Sequence, residues 1–243
     1  MFAHDQLNVY RKALQFVAAA SGFVAQWDRK HAVTDQLARA SDSLVVNLAE
    51  AARLRPPPSK LRVLDYALGS CLECAACLDI ARIKGLLSSA ESDQQKQRLS
   101  EIIKMLVGLR KTWAKWQIQE EGSAYKAEAP LGSTLFHHER LEVYGASLEV
   151  MEWFVRMPAA NHLPNRLQRQ LDEALTGIAL NIAEGNGRYS DLDHHRFLDL
   201  AAGSAVKAAA YLDLAVQKDV LGENDCQAAK GLLERILAML SRM

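Results

Sequence analysis

The sequence predicts an all-α protein built as two tandem antiparallel up-down four-helix bundles. Three observations lead there. The chain repeats itself at an offset of 134 residues. Its apolar residues recur at alternating spacings of three and four. Alternating β-branched runs bounded by turns, which would announce strands, are nearly absent.

The repeat opens on Phe2-Ala3-His4-Asp5-Gln6-Leu7-Asn8-Val9-Tyr10, which matches Phe136 to Tyr144 at five of nine positions. The same offset pairs Asn47-Leu48-Ala49-Glu50 with Asn181-Ile182-Ala183-Glu184, and Leu64-Asp65-Tyr66-Ala67-Leu68-Gly69-Ser70 with Leu198 to Ser204. Residues 2–109 align with 136–243 without a gap, and roughly 30 of the 108 pairs are identical. Chance would give a handful. The expected organisation is copy one over 1–120, a linker over 121–134 and copy two over 135–243. A unit of about 110 residues is large enough to bury its own core.

Each copy reads as four helices. In copy one the first spans about Asp5 to Gln26. The second runs from Thr34, as N-cap, to Leu54, with Leu37, Leu44, Val45 and Leu48 inward. Pro56-Pro57-Pro58 stops it, since proline lacks an N–H and clashes with the turn before it. The third starts near Ser59. Its residues Leu61, Leu64, Leu68, Cys71, Ala75 and Leu78 form a narrow packing seam. Gly85 ends it. The fourth starts near Ser89 and carries Leu99, Ile102, Leu106, Leu109, Trp113 and Trp116 at the same spacing, echoed by Leu233, Ile236, Leu240 and Met243. In copy two Gly185 suits a left-handed helix C-terminus, Ser190 or Asp191 can cap the next helix, and Gly222 marks the last loop. The Gly/Ser/Ala/Pro-containing linker, at roughly 3.3 Å per residue when extended, would let the copies stand apart.

Composition excludes several classes. No apolar run reaches the roughly 18 residues of a membrane helix, and the N-terminus lacks a signal-peptide layout, so a cytoplasmic protein is expected. Four cysteines are too few for a disulfide framework. Cys71, Cys74 and Cys77 resemble buried hydrophobes more than metal ligands, because copy two carries Ala205, Ala208 and Tyr211 there. Net charge is zero, yet residues 1–134 hold 18 Lys+Arg against 14 Asp+Glu, and residues 135–243 hold 11 against 15. The copies therefore carry +4 and −4, a split that suits different partners or mutual attraction.

No phosphate-binding loop, dinucleotide fingerprint or hydrolase motif is present. No catalytic residue, metal site, cofactor or small-molecule substrate is expected. His4 and His138, at equivalent positions, read as capping or surface residues. Asn47 with Glu50, and Asn181 with Glu184, share a helix face and can hold backbone groups or a basic side chain. Gly69-Ser70 and Gly203-Ser204 lie inside the third helix of each copy. A mid-helix glycine costs roughly 1 kcal/mol, so its recurrence suggests close helix approach. Basic residues cluster in copy one: Arg53, Arg55, Lys60 and Arg62 near the proline turn, and Arg110, Lys111 and Lys115 around Trp113 and Trp116, with Arg39 as a further basic element on the second helix. Two readings compete: a phosphate-contacting surface with tryptophans for stacking, or a solvated helix end with the tryptophans in a seam.

The runs Gln36-Leu37-Ala38-Arg39-Ala40, Asn47 to Glu50, Leu64 to Ser70 and Asn181-Ile182-Ala183-Glu184-Gly185-Asn186-Gly187-Arg188 resemble the hallmark of the four-helix-bundle family of 23S rRNA intervening-sequence proteins. Leu7-x-Val9-Tyr10 and Leu141-x-Val143-Tyr144 fit as well. The resemblance implies antiparallel bundles that assemble into rings. It also implies kinship with an accessory protein of diversity-generating retroelements, which binds a reverse transcriptase and nucleic acid through a basic surface. This chain departs in having two bundles, in Asp172-Glu173 where copy one has Ala38-Arg39, and in Ala51 where copy two has Gly185. The expectation is a non-enzymatic scaffold or accessory protein that contacts RNA, or a nucleic-acid enzyme, through copy one. The alternative is a protein-binding adaptor or self-assembling structural protein without a nucleic-acid role.

Overall fold

Apolar spacing of three and four closes four helices into an antiparallel ring in each copy, and the chain does this twice. The computed structural model describes residues 3–54, 57–121, 136–157 and 163–243, and every regular element among them is helical. Copy one comprises α1 (Asn8–Val24), α2 (Ala32–Arg53), α3 (Pro57–Ile83) and α4 (Ser89–Glu121). Copy two comprises α5 (Glu142–Arg156), α6 (Asn165–Asn186), α7 (Asp191–Gln217) and α8 (Glu223–Leu240). Short 3-10 turns, Ala3–Gln6 and His137–Arg140, lead into α1 and α5. Consecutive helices pack side by side, and α1 meets α4 as α5 meets α8, which closes each bundle.

Local signals place several helix ends. Ser88 and Glu91 form a capping box: the Glu91 carboxylate accepts from the Ser88 N–H at 2.8 Å, and Ser88 Oγ accepts from the Glu91 N–H at 3.3 Å. Ser190 Oγ accepts from the Asp193 N–H at the start of α7. Gly85 adopts a φ of +69°, and at the equivalent place in copy two Asp219 adopts +54°. The same left-handed turn thus ends both third helices.

Four expectations need correction. Thr34 is not the N-cap of α2, which begins at Ala32; its hydroxyl donates to the Asp28 carbonyl. The third helix begins at Pro57 rather than Ser59, since a first-turn N–H needs no helical partner and proline is tolerated there. Gly185 does not end α6 in a left-handed conformation. The helix continues to Asn186, and the glycine serves packing instead: a Cβ on it would lie 2.8 Å from Phe197 Cβ of α7. The seam expected on α3 is not narrow, because α3 is buried around almost its whole circumference between Leu61 and Ala81. Residues 122–135, hence all of the expected linker but Glu121 at the end of α4, lie outside the described residues.

Cys71, Cys74, Cys77 and Cys226 are free and buried. Burial pushes the thiols of Cys71, Cys74 and Cys77 well above the ordinary range and raises that of Cys226, so they behave as apolar packing groups.

Two glycines test this geometry. Gly203 has open space where a Cβ would stand. Gly203→Ala should therefore stabilise the folded chain by roughly 0.5–1 kcal/mol, the helix-propensity gain. Gly185→Ala, forced against Phe197, should destabilise it by about 1–3 kcal/mol. Urea denaturation of both variants checks the opposite signs.

Candidate assembly interface

A helix that is apolar on all sides must be covered on all sides. In copy one that helix is α3. Its inner face meets α2 and α4, and its outer face packs against α6 and α5 of copy two, with α2 also touching α6. The two copies share one continuous apolar core. The joint is not symmetric. It sets the third helix of copy one against the second helix of copy two, so the two sides use different surfaces, as in a head-to-tail contact.

Polar anchors fix the joint at one end and along its edge. At the C-terminal end of α3, Lys84 pairs with Asp172 of α6, their side chains 3% and 6% exposed. The other Asp172 oxygen accepts the Ala32 N–H at 2.9 Å. A carboxylate from copy two thus caps α2 of copy one, where the helix dipole favours negative charge. Burial holds the Lys84 ammonium below the ordinary lysine range, against the pull of Asp172. Along the edge, Asp79 accepts from Lys96 Nζ at 2.9 Å and from Tyr144 Oη at 2.9 Å. Lys96 also pairs with Glu139. Burial alone would lower the Lys96 ammonium, but the two carboxylates hold it above its usual value.

His138 is fully buried, with its ring 4.7 Å from that of Tyr144, which corrects the surface reading of this residue. Burial and the Lys96 charge push it down to about 3, so it stays neutral. Asp79, His138 and Glu139 lie close enough to suggest a metal triad, but the cation their carboxylates already hold is the Lys96 ammonium.

Midway along the joint the backbones meet. A Cβ on Gly187 would lie 3.1 Å from Gly69 Cα and 2.8 Å from Leu72 Cδ1. Glycine at 187 lets α3 and the end of α6 approach so closely, whereas a Cβ on Gly69 would meet the Arg188 guanidinium at 3.1 Å. Arg188 lies across the gap, its guanidinium 4.8 Å from the rings of Tyr66 and Phe197 and paired with Glu184. Glu73 faces this group. Burial and then the neighbouring Glu184 push its carboxyl up to about 8, against Arg39 and Arg188.

The expected binding residues do not converge. Lys60 donates to the Ala52 and Leu54 carbonyls, capping the end of α2, and its ammonium lies 4.0 Å from the Trp113 ring centroid. Arg110 pairs with Asp65 and stacks on Tyr189. Trp113 is buried and offers no face to a base. Arg39, Arg53, Arg62 and Lys111 are exposed. Arg55 and the side chains of Lys115 and Trp116 lie outside the described residues. The paired motifs tie helices within each bundle. Asn47 donates to Ser43, and Ser43 bonds Ser70 of α3 at 2.9 Å. In copy two Asn181 donates to the Gly177 carbonyl, and Ser204 Oγ lies 3.0 Å from where a Gly177 Cβ would be. Glu50 is exposed, whereas Glu184 holds Arg188.

Of the groups that build the joint, Asp79, Lys84, Lys96 and Glu139 escape motif reasoning; Tyr144 enters it only as part of a repeated motif, and Asp172 only as a difference between the copies. A signal was available: Asp79, Lys84, Lys96 and Tyr144 are identical to Asp213, Lys218, Lys230 and Tyr10 in the other copy. Polar residues that outlast a duplication on otherwise diverged surfaces mark a contact.

Two measurements test the joint. Asp172→Ala leaves the Lys84 ammonium buried without its partner and should cost about 3–5 kcal/mol; the double change Lys84→Met, Asp172→Leu should cost much less, as read by urea denaturation. The second concerns Glu73. A carboxyl raised in the folded state keeps its proton at pH values where the unfolded chain has lost it. Its contribution is present below about 4.5 and lost as pH rises through about 8. The urea midpoint should fall between pH 5 and pH 8, and Glu73→Gln should flatten that fall.

A family model described as 23S rRNA-intervening sequence protein matches the chain twice, over residues 5–108 and 139–242. No curated protein and no solved structure matches. The two matches cover most of the chain and fall on the two bundles, so the chain belongs to the 23S rRNA-intervening sequence protein family, as a tandem duplication of its unit.

Proposed function

We propose that this protein is a non-enzymatic scaffold that works by covering its helix faces with protein. One observation carries the reading. On α3, which packs against α6 and α5 of copy two, the outer row Leu72, Ala76 and Ile80 is buried. On α7 the equivalent row is Val206, Ala210 and Leu214, and it is exposed, Val206 by 55% and Leu214 by 45%. Leu200, in the same face, is 46% exposed. Apolar residues held in line on an open helix face mark a surface that another protein covers. The fold itself supplies the precedent, since the matching face of α3 has a protein cover.

The basic cluster supports a direct nucleic-acid role less well. Lys60 and Arg110 are engaged inside the fold, and Trp113 is buried. A nucleic-acid enzyme, as the family resemblance suggests, would still be a partner of the proposed kind.

The test is in-cell photo-crosslinking, with the reactive amino acid placed at Val206 and, separately, at Arg62. The Val206 adduct should be destroyed by protease and survive nuclease. A nuclease-sensitive adduct at either position, or no adduct at Val206, overturns the reading.

A further inference from the structure

We infer that the cavity beside the Lys84–Asp172 pair is a binding site for a small organic phosphate, held by Arg29 of copy one and Arg166 of copy two. The inference is independent of the scaffold reading and adds a ligand to it. The cavity measures about 850 Å³, within the range of small-molecule sites. The turn between α1 and α2 lines it from copy one. The end of α5 and the start of α6 line it from copy two.

Its charges do not balance. Five permanent cations border it: Arg29, Lys30, Lys84, Arg166 and Arg169. Three of them have carboxylates. Lys84 pairs with Asp172, Lys30 with Asp28 at 3.2 Å, and Arg169 with Glu173 at 3.7 Å. Arg29 and Arg166 have no ion pair among the described residues. Two unmatched guanidiniums, one from each bundle, call for a dianion. A guanidinium presents a planar fork of donors that fits phosphate oxygens in pairs. A phosphate monoester carries close to two negative charges near neutral pH.

Neighbouring groups favour the same occupant. The Lys84 ammonium has three donors, and one goes to Asp172. Its side chain is 3% exposed and borders the cavity, so an oxygen bound there would meet a further donor. No side chain caps the start of α6, and free N–H groups at a helix start attract an anion. Phe154 and Val155 add an apolar stretch of wall, with Val155 41% exposed. An organic body on the phosphate would cover it.

The two copies show that the bundle does not need these cations to fold. Where copy one has Arg29 and Lys30, copy two has Leu163 and Pro164. Where copy two has Arg166 and Arg169, copy one has Ala32 and Asp35. Copy two is acidic as a whole, yet it opens α6 with two arginines. Cations that each copy has and its twin lacks thus meet at one cavity.

Isothermal titration calorimetry of the full chain tests this, with phenyl phosphate as the probe. It should bind once per chain with a dissociation constant below about 1 mM, and about threefold or more tighter than inorganic phosphate. Arg29→Ala and Arg166→Ala should each weaken it about tenfold or more. Both positions are exposed, so unchanged melting temperatures check that the fold is intact. Lys207→Ala, at an exposed cation of α7 outside the cavity, should change nothing. No binding, or binding that both arginine variants leave unaltered, overturns the inference. Phenyl phosphate no tighter than inorganic phosphate overturns the organic ligand. Tighter binding of 5′-phosphorylated RNA or of phosphatidic acid vesicles through the same arginines overturns it in favour of a larger partner. None of these results bears on the Val206 crosslink, so the scaffold reading stands or falls separately.

Discussion

An α-helix that is apolar around its circumference cannot lie at a surface, and α3 imposes this condition on the whole molecule. Two helices of its own bundle cover its inner side, and α6 and α5 must cover the rest. The continuous core, the cap that Asp172 gives to α2 and the meeting of Gly69 with Gly187 all follow from that requirement. Apolar burial holds the faces together without direction. The ion pairs and the Tyr144–Asp79 hydrogen bond choose the register. The division of labour is physical. A few Å of slip would barely change the apolar area but would strand Lys84 and Asp172 as buried charges.

Much of the fold was legible because it depends on short-range rules. Spacings of three and four and Gly85 after α3 report what a residue does with near neighbours, and the repeat at 134 says that the same rules apply twice. The joint was less legible. Leu72, Ala76 and Ile80 look the same in sequence as Val206, Ala210 and Leu214, yet one row is buried and the other open. Which row is covered depends on how two folded units dock, and spacing within a helix carries no such information. The basic residues misled for a related reason: Lys60 and Arg110 read as surface charge, but their cationic heads lie over the rings of Trp113 and Tyr189.

Divergence between the copies has a direction. The cores keep many leucines and alanines at matched positions, while two exchanges, Ala38 with Asp172 and Arg53 with Gly187, fall on residues that build the joint. They leave copy one without the buried carboxylate and the close backbone approach that copy two brings to the joint. The duplicated chain fixes that joint once within each molecule.

The dependence of α3 on copy two also bears on how the chain is made. Synthesis runs from the N-terminus, and roughly a hundred residues separate the end of α3 from the end of α6. At about 5–20 residues per second that gap lasts on the order of 5–20 s. During it, Leu72, Ala76 and Ile80 have no cover from their own chain. Nascent copies on neighbouring ribosomes would present the same sticky row.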